Sequence, residues 1–318
     1  MTNNIHCLNK NNYFCNRLYL MEITNNHKAG FVSIIGKPNV GKSTLMNVLV
    51  GEKLSIITSK AQTTRHRISG IINGDDYQIV YSDTPGIIKP AYELHKSMMN
   101  FVSYSIEDAD VILFVTDIYE KFDEEDVIIK LQKTETPVFL LINKIDIASQ
   151  EDIDEKTAYW KEKINPKEII CLSALKEINT STVLSKIYEY LPEHPAYYPK
   201  DDLTDKPERF FAAEILREKI FLNYKKEVPY SCEVVVEEFI EREDIIKIRA
   251  IIYVERKSQR GILIGHMGES IKKTGIMARE EMEKFFQSKI FLETHIKVEP
   301  EWRTKPQVLG KFGYNQKD

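Results

Sequence analysis

A glycine-bounded loop near the start of the chain has the composition of a phosphate-binding site. The segment 36-GKPNVGKS-43 follows the apolar run 31-FVSII-35 and fits the pattern G-x-x-x-x-G-K-[ST]. In this pattern backbone N–H groups curl around phosphate oxygens, the lysine reaches the β- and γ-phosphates, and the hydroxyl binds Mg²⁺. The residues assigned to these contacts are Gly41, Lys42, Ser43 and Thr44. The alternative, a glycine turn that matches by chance, is disfavoured by the strand and helix patterns on either side.

Two later segments predict which base the nucleotide carries. In 143-NKID-146 the Asp146 carboxylate is a pure acceptor, so it can take both N–H donors of the guanine Watson–Crick edge. Adenine presents an acceptor at one of these positions and would be rejected. The other assigned residues are Asn143, which ties loops together, Lys144 along the ring, and Ser173, Ala174 and Leu175, where the Ala174 N–H meets guanine O6. An ordinary strand-end turn is the alternative for NKID alone.

Two segments between these motifs supply groups for the γ-phosphate and its magnesium ion. Asp83 can hold Mg²⁺ through water, and the Gly86 N–H can sense the γ-phosphate. The loop 58–67 offers Thr64, or its neighbour Thr63, as a further hydroxyl ligand. The predicted metal ligands are Ser43, Thr64 and Asp83, and the predicted catalytic residues are Lys42, Thr64 and Gly86. Five motifs in this order indicate that the bound nucleotide is GTP.

The apolar runs that precede these motifs predict a buried sheet. Runs such as 111-VILFV-115 and 138-VFLLI-142 are apolar throughout, which is typical of strands covered on both faces. Because helical patterns separate them, they indicate an α/β fold with a mostly parallel sheet. The predicted strands are 31–35, 68–72, 78–83, 111–117, 138–143 and 168–173.

Composition divides the chain into domains. The proline-rich, acidic stretch 193–208 predicts a linker between a nucleotide-binding domain at 28–192 and a smaller α+β domain at 209–318. The Asn-rich residues 1–27 predict a disordered tail, with Met21 as an alternative start. No apolar run approaches the roughly 20 residues that span a bilayer. The four scattered cysteines indicate free thiols in a reducing compartment, and the net charge of −4 indicates no strong overall field.

The second domain carries a loop suited to a nucleic-acid backbone. The segment 265-GHMG-268 is a GxxG loop before a predicted long helix at 269–289. Two glycines let a phosphodiester backbone pass close, and the helix N-terminus favours phosphate. A tight turn is the alternative that these four residues alone leave open. The residues assigned to RNA contact are Lys257, Arg260, Gly265, His266, Met267, Gly268 and Lys272.

The final stretch, 302-WRTKPQVLGKFGY-314, mixes aromatic and basic residues. Trp302 is predicted to stack on a base and Arg303 to meet a phosphate. The alternative is that Trp302 packs on the domain as an ordinary core aromatic. Composition alone leaves both open.

These motifs together resemble the Era family of GTPases. The matching segments are GKPNVGKS, KAQTTRHR, DTPGIIKP, NKID, SAL and the region around the GxxG loop, over about residues 29–314. The resemblance implies a Mg²⁺-dependent GTPase domain followed by a type II KH domain. It also implies binding to single-stranded ribosomal RNA near the 3′ end of the small-subunit rRNA, and a role in small-subunit assembly on the pre-30S particle.

Two positions qualify what the resemblance implies. Ile87 stands where Ras-like GTPases carry a water-orienting Gln. Relatives share an apolar residue there, and in some of them a K⁺ ion held partly by the residue that Asn39 matches replaces an arginine finger. In the GxxG loop, His266 and Met267 replace the basic or glycine residues that are common there. We therefore expect weaker or more pH-dependent RNA binding.

Two other functions compete with an RNA-binding GTPase. An ATP-dependent kinase on a P-loop fold is opposed by the NKID segment. A membrane-linked regulator, cytoplasmic with peripheral association with the inner face of the plasma membrane, is implied by the resemblance and by Lys272 and Lys273 at a helix start. Glu280 and Glu281 on the same helix add negative charge to its polar face, which opposes binding to anionic lipid. No heptad run indicates anything beyond a monomer.

Overall fold

A large sheet and a small sheet organise the chain. The computed structural model describes residues 27–120, 122 and 124–314, so nearly all of the predicted N-terminal tail lies outside the described residues. The strands of the large sheet are β1 (Lys28–Ile35), β2 (Ile68–Asn73), β3 (Tyr77–Asp83), β4 (Val111–Asp117), β5 (Val138–Asn143) and β6 (Glu168–Cys171). Their order is β2-β3-β1-β4-β5-β6, and all pairs are parallel except β2 with β3.

Helices cover both faces of this sheet. They are α1 (Lys42–Val50), α2 (Glu93–Glu107), α3 (Glu125–Lys133), α4 (Gln150–Ile164) and α5 (Thr180–Tyr190). On one face Leu45 of α1 and Ile187 of α5 pack against β-strand residues such as Leu113. On the other face Trp160 of α4 is fully buried beside Phe114. Double coverage explains why the strands are apolar throughout. Their parallel pairing brings the carboxyl ends to one edge, where the polar motifs follow.

The predicted linker is docked rather than free. The Ile71 N–H of edge strand β2 donates to the Leu203 carbonyl at 2.8 Å. Nearby, the Thr204 hydroxyl donates to the Ser69 carbonyl at 2.7 Å. The Gln78 side chain donates to the Tyr198 carbonyl at 2.8 Å. The connecting segment therefore covers the outer backbone groups of the edge strand.

The second domain is built on the three-stranded sheet. Its elements are α6 (Glu208–Asn223), β7 (Glu233–Arg242), β8 (Ile245–Val254), α7 (Lys257–Ile264), α8 (Glu269–Phe286), β9 (Ile290–Val298) and α9 (Pro306–Lys311). β8 pairs antiparallel with β7 and parallel with β9. Leu216 of α6 and Met282 of α8 are buried in one core with Ile252 of β8. The order α–β–β–α–α–β is the type II KH arrangement that the sequence predicts.

The C-terminal stretch corrects one predicted RNA contact. Trp302 is 0% exposed, and its indole N–H donates to the Ser231 carbonyl at 2.9 Å. Its cluster includes Leu94 and Met98 of α2 together with Leu309 of α9. A base cannot reach a fully covered ring, so the prediction that Trp302 stacks on RNA is wrong and the alternative of core packing is correct.

Arg303 is also occupied inside the protein. It forms an ion pair with Glu255, and its guanidinium lies over the Tyr92 ring at 5.0 Å from the ring centroid. These contacts place it against the nucleotide-binding domain rather than in a free surface. Among the helices within the described ranges, none is both long and apolar enough to cross a membrane.

Candidate functional site

The predicted nucleotide residues converge on one cavity. Its volume is about 540 Å³, and every residue assigned to nucleotide contact lines it except Asp83, which lies behind the wall at 0% exposure. The strands β1, β3 and β5 end together, so the loops that follow them meet at one edge. Segments that are far apart in the chain therefore form a single site.

Two glycines allow the close approaches that shape this site. Gly41 has φ +99°, and a Cβ there would lie 2.2 Å from the Asn143 amide nitrogen. A Cβ on Gly86 would lie 2.6 Å from the backbone nitrogen of Pro38. The Ile87 N–H donates to the Gly36 carbonyl at 3.0 Å, which ties the DTPG segment to the phosphate loop. Any larger residue at positions 41 or 86 would force these loops apart.

Burial perturbs the two charged groups at the phosphate end. Burial lowers the pKa of Lys42 to about 8, although Asp83 and Glu120 oppose this shift. Burial likewise raises the pKa of Asp83, against the effects of Lys42 and the Ser43 hydroxyl. Lys42 Nζ donates to the Lys37 carbonyl at 2.8 Å. A bound polyanion would favour the charged form of Lys42, and a bound cation would favour the charged form of Asp83.

Three oxygen-bearing side chains meet where a metal ion is predicted. The Ser43 hydroxyl donates to Asp83 Oδ2 at 2.6 Å and lies 3.0 Å from Thr64 Oγ1. Asp83 Oδ1 is buried and has no hydrogen-bond partner among the residues that the structure describes. A buried carboxylate oxygen without a partner is costly unless a cation fills that role. Oxygen ligands of this kind suit Mg²⁺, so the donor set fits the ion.

The base end of the cavity is held by Asn143. Its amide donates to the Val40 carbonyl at 2.8 Å, and its carbonyl oxygen accepts the Ala174 N–H at 2.9 Å. Asn143 thus ties three loops together, as the sequence predicts. The Ala174 N–H, however, is committed to Asn143 in this conformation, so the predicted contact to guanine O6 is not in place. Asp146 is exposed at the cavity wall.

Sequence reasoning missed one residue of this end. Lys144 has φ +67°, and its ammonium group pairs with Asp117 Oδ2 at 2.6 Å. Asp117 Oδ1 also accepts the N–H groups of Tyr119 and Glu120, at 3.0 and 2.8 Å. Asp117 therefore fixes the lysine that is predicted to lie along the base. Its position as the last residue of an apolar strand, level with Asn143 in the sheet, is the feature that could have revealed it.

The GxxG loop projects from the second domain. Gly265, Met267 and Gly268 have φ values of +72°, +47° and +83°. The Met267 side chain is 90% exposed at the tip. A Cβ on Gly265 would lie 2.1 Å from Ser270 Oγ at the start of α8, so glycine is needed there. The tip is therefore accessible to a partner.

A groove beside this loop carries exposed positive charge. The groove, with a volume of about 610 Å³, is lined by Lys257, Arg260 and Ile264 of α7 and by Ile296 and Val298 of β9. Lys257, Arg260 and the nearby Lys272 of α8 are exposed. Glu299 also lines the groove, where Lys257, Arg260 and Lys297 outnumber it. Apolar walls with a surplus of cations match the chemistry of a single-stranded nucleic acid, whose bases stack and whose phosphates carry charge.

The fold and these two sites define a class of protein: a P-loop GTPase domain joined to a KH domain. Comparison with protein families agrees, because residues 31–144 match the family described as "50S ribosome-binding GTPase" and residues 227–303 match the KH domain family.

Similar proteins specify the family. The chain is 48% identical over 289 residues to GTPase Era from Geotalea daltonii, covering 90% of this chain and 97% of that protein. It is 43% identical over 291 residues to GTPase Era from Ruminiclostridium cellulolyticum, covering 91% and 98%. The chain belongs to the Era family of GTPases.

Solved structures show the same architecture. The chain matches a crystal structure of Era in complex with MgGDPNP and nucleotides 1506–1542 of 16S ribosomal RNA, with a TM-score of 0.86 and 39% identity. This match covers 91% of the chain and all of the solved one. A variant of Aquifex aeolicus Era bound to GDP and AlF4⁻ matches with a TM-score of 0.85 and 38% identity, with the same coverage.

Proposed function

We propose that this protein binds GTP with Mg²⁺, hydrolyses it, and uses the cycle to control binding of single-stranded ribosomal RNA near the 3′ end of the small-subunit rRNA. Through that binding it assists assembly of the small subunit on the pre-30S particle. The observation that carries the proposal is the convergence of the guanine, phosphate and magnesium motifs on one cavity. The solved Era complex with MgGDPNP and 16S rRNA, at 39% identity, supports the pairing of the two ligands.

The roles of the nucleotide residues follow from their positions. The Lys42 ammonium group, in its charged form, would neutralise the β- and γ-phosphates, and the Gly86 N–H would donate to the γ-phosphate. Ser43, Thr64 and Asp83 would hold Mg²⁺, which when bound spreads the charge that develops on the phosphate oxygens. Asn143, Lys144 and Asp146 orient the base. These residues bind and orient; none of them is placed as a general base.

The Ile87 side chain plays no part in orienting water, because it is 2% exposed and packs in the core beside α2. We propose that K⁺ contributes instead. The Asn39 amide donates to the Ser59 carbonyl at 3.2 Å, so an amide and a carbonyl stand together at the phosphate end. Hydrolysis should be faster in KCl than in NaCl at equal ionic strength, and Asn39→Ala should remove the difference. Equal rates in the two salts would exclude K⁺.

Base selection offers the sharpest test of the nucleotide assignment. We expect Asp146→Asn to weaken GTP binding roughly 100-fold, because a charged acceptor for two N–H donors is lost. Xanthosine triphosphate, which presents a carbonyl where guanine has its amino group, should bind the variant better than GTP. Asp126→Asn, at an exposed carboxylate on α3, is the matched control. Unchanged preference for GTP in the Asp146 variant would remove Asp146 from the site.

RNA binding is tested with a labelled oligonucleotide that carries the last dozen or so bases of small-subunit rRNA. Affinity is measured with GDP and with a non-hydrolysable GTP analogue, against a scrambled RNA. The proposal predicts selective binding that strengthens with the analogue. Binding that ignores both sequence and nucleotide would leave a GTPase whose partner is something else.

The proposed ribosomal RNA partner determines where the protein is expected to work. We propose that the protein works in the cytoplasm as a monomer, where ribosomal particles assemble. Peripheral contact with the inner face of the plasma membrane is a second candidate, favoured by exposed Lys272 and Lys273 at the start of α8. Co-sedimentation with anionic vesicles decides: binding that Lys272→Gln with Lys273→Gln abolishes would support it, and no binding would exclude it.

A further inference from the structure

The loop that carries Thr64 is anchored in the second domain by a buried arginine. Arg65 is 0% exposed. One guanidinium nitrogen donates to the Cys232 carbonyl at 2.7 Å and to Glu233 Oε2 at 2.9 Å. The other terminal nitrogen donates to the Tyr230 carbonyl at 3.0 Å and to the Pro229 carbonyl at 3.3 Å. A residue of the nucleotide-binding domain therefore has all its described hydrogen-bond acceptors in the KH domain.

A lysine anchors the other side of the same loop. Lys60 Nζ donates to the carbonyls of Phe221 and Tyr224 at the C-terminal end of α6. Cations are stabilised at helix C-termini, where carbonyl groups lack partners within the helix. Lys60 and Arg65 thus bracket Thr64, and both bind mainly backbone carbonyls of the second domain.

Glu233, the side-chain acceptor for Arg65, also accepts a hydrogen bond from the C-terminal stretch. The Tyr314 hydroxyl donates to Glu233 Oε2 at 2.6 Å. The Tyr314 ring stacks on His66 at 4.3 Å between ring centroids. Both Glu233 and Tyr314 are buried. The Arg65 pocket is therefore closed on one side by the KH sheet and on the other by Tyr314 of the C-terminal stretch.

Position along the backbone connects this pocket to the metal ligands. Arg65 directly follows Thr64, and consecutive Cα atoms are about 3.8 Å apart. Thr64 Oγ1 lies 3.0 Å from Ser43 Oγ and 3.4 Å from Asp83 Oδ2. Withdrawing Arg65 from its pocket would leave the buried Glu233 carboxylate without its ion-pair partner, and only the Tyr314 hydroxyl would still donate to Oε2, which is strongly unfavourable. The docked KH domain accordingly restricts where Thr64 can lie.

We propose that Arg65 is a positioning residue for the magnesium and γ-phosphate site, through which the docked KH domain holds Thr64 in place. The inference rests on the proposed function and deepens it by naming the interaction that links the two domains. Thr64 is needed only when a γ-phosphate is present, so loss of Arg65 weakens GTP binding and leaves GDP binding intact. Because coupling is reciprocal, bound GTP favours the docked arrangement of the KH domain by the same factor.

The test compares nucleotides in the full-length chain. Arg65→Gln should weaken binding of a non-hydrolysable GTP analogue about 10-fold and raise the Mg²⁺ concentration for half-maximal hydrolysis by a similar factor, as expected when a support of a metal ligand is removed. GDP affinity should stay within about twofold. Glu233→Gln should act in the same direction. Arg249→Gln is the control: it removes the ion pairs that the half-exposed Arg249 makes with Glu238 and Glu293 in the same KH sheet, and it should change the affinity for neither nucleotide.

A double-mutant cycle separates positioning from general destabilisation. If Arg65 acts through Thr64, the effects of Thr64→Val and Arg65→Gln on analogue binding are not additive; independent structural effects would add. Equal loss of GDP and analogue affinity, or an unchanged Mg²⁺ dependence, overturns the inference. If Arg65→Gln does not fold, Glu233→Gln and Tyr314→Phe carry the same comparison. A wild-type chain that binds no GTP analogue would instead contradict the proposed function itself.

Discussion

The GxxG region and the C-terminal stretch look alike in sequence but lie in opposite environments. Both combine basic and apolar or aromatic residues, and both are predicted to contact RNA. In the structure Met267 at the GxxG tip is 90% exposed, whereas Trp302 is 0% exposed. Lys257 is exposed and lines an open groove, whereas Arg303 is paired with Glu255. One region is available to a partner, and the other already has one within the chain.

What distinguishes them is the element that covers the C-terminal stretch. Leu94, Met98 and Phe101 of α2 form the other half of the Trp302 cluster. They lie roughly two hundred residues earlier in the chain, shortly after the DTPG segment. Local composition cannot reveal an interaction with so distant a segment. Aromatic residues beside basic ones therefore indicate a base-stacking surface only when nothing else in the fold covers them.

The largest expected effect is on stability and tests the buried C-terminal stretch. Trp302→Ala should lower the free energy of unfolding by about 3–5 kcal/mol, because a fully buried aromatic ring leaves a cavity at the domain junction. RNA affinity, measured at a temperature where the variant is folded, should stay within about twofold. Met267→Ala, at the exposed tip, is the control for stability and should change it little. A stable Trp302 variant that loses RNA affinity would restore the base-stacking role.

A smaller effect, on RNA affinity, is expected from the exposed cations beside the GxxG loop. Lys257→Gln with Arg260→Gln should weaken RNA binding about 10-fold or more and reduce the slope of log affinity against log salt by about one to two, since each phosphate that is no longer neutralised contributes roughly one. Fluorescence anisotropy over a salt series measures both quantities. Arg303→Gln is the matched control, because its charge is committed to Glu255. Equal effects from the two sets would mean that the C-terminal stretch also binds RNA.

The smallest expected effect concerns acid sensitivity at the junction. Burial lowers the pKa of His66 to about 4, with Glu214 opposing and Arg217 reinforcing the shift. The folded state therefore disfavours the proton that the unfolded chain accepts below about pH 6.5. The contribution of His66 to stability is complete above that pH and is lost progressively as pH falls towards about 4.

The corresponding variant is His66→Gln. Between about pH 7 and pH 5 it should lose about 1 kcal/mol less stability than the wild type, a figure reduced because the ring is partly exposed. Denaturant unfolding at the two pH values measures this difference. His194→Gln, at an exposed histidine, should behave like the wild type. Identical acid sensitivity in the wild type and the His66 variant would show that His66 does not contribute to the loss of stability at low pH.

Much of the fold could be predicted because buried parallel strands leave a strong pattern. The runs at 111–117 and 138–143 match β4 and β5 at both ends. The phosphate loop and the DTPG, NKID and SAL segments are recognisable because each lies at the end of such a strand, whereas the loop 58–67 precedes β2. The phosphate, base and metal residues are short, local and fixed in spacing, so their convergence could be expected from the sequence alone.

The features that the sequence could not predict depend mainly on interactions between distant segments. Helix α7 has only eight residues and two buried positions, too few for a clear period. Asp117 acts through Lys144, and its role appears only when β4 and β5 lie side by side. Arg65 stands beside Thr64 in a polar loop, and nothing local indicates that its partners lie in another domain.

The linker connects the two domains and also covers the edge of the large sheet. Residues around Leu203 both lead to the KH domain and cover the outer edge of β2. An exposed edge strand offers unpaired backbone groups to any other strand, including one from a second molecule. A motion that pulled the KH domain far enough to lift this segment would therefore make the protein prone to self-association. The same cover makes this connection, despite its prolines and acidic residues, a poor place to cut or extend the chain.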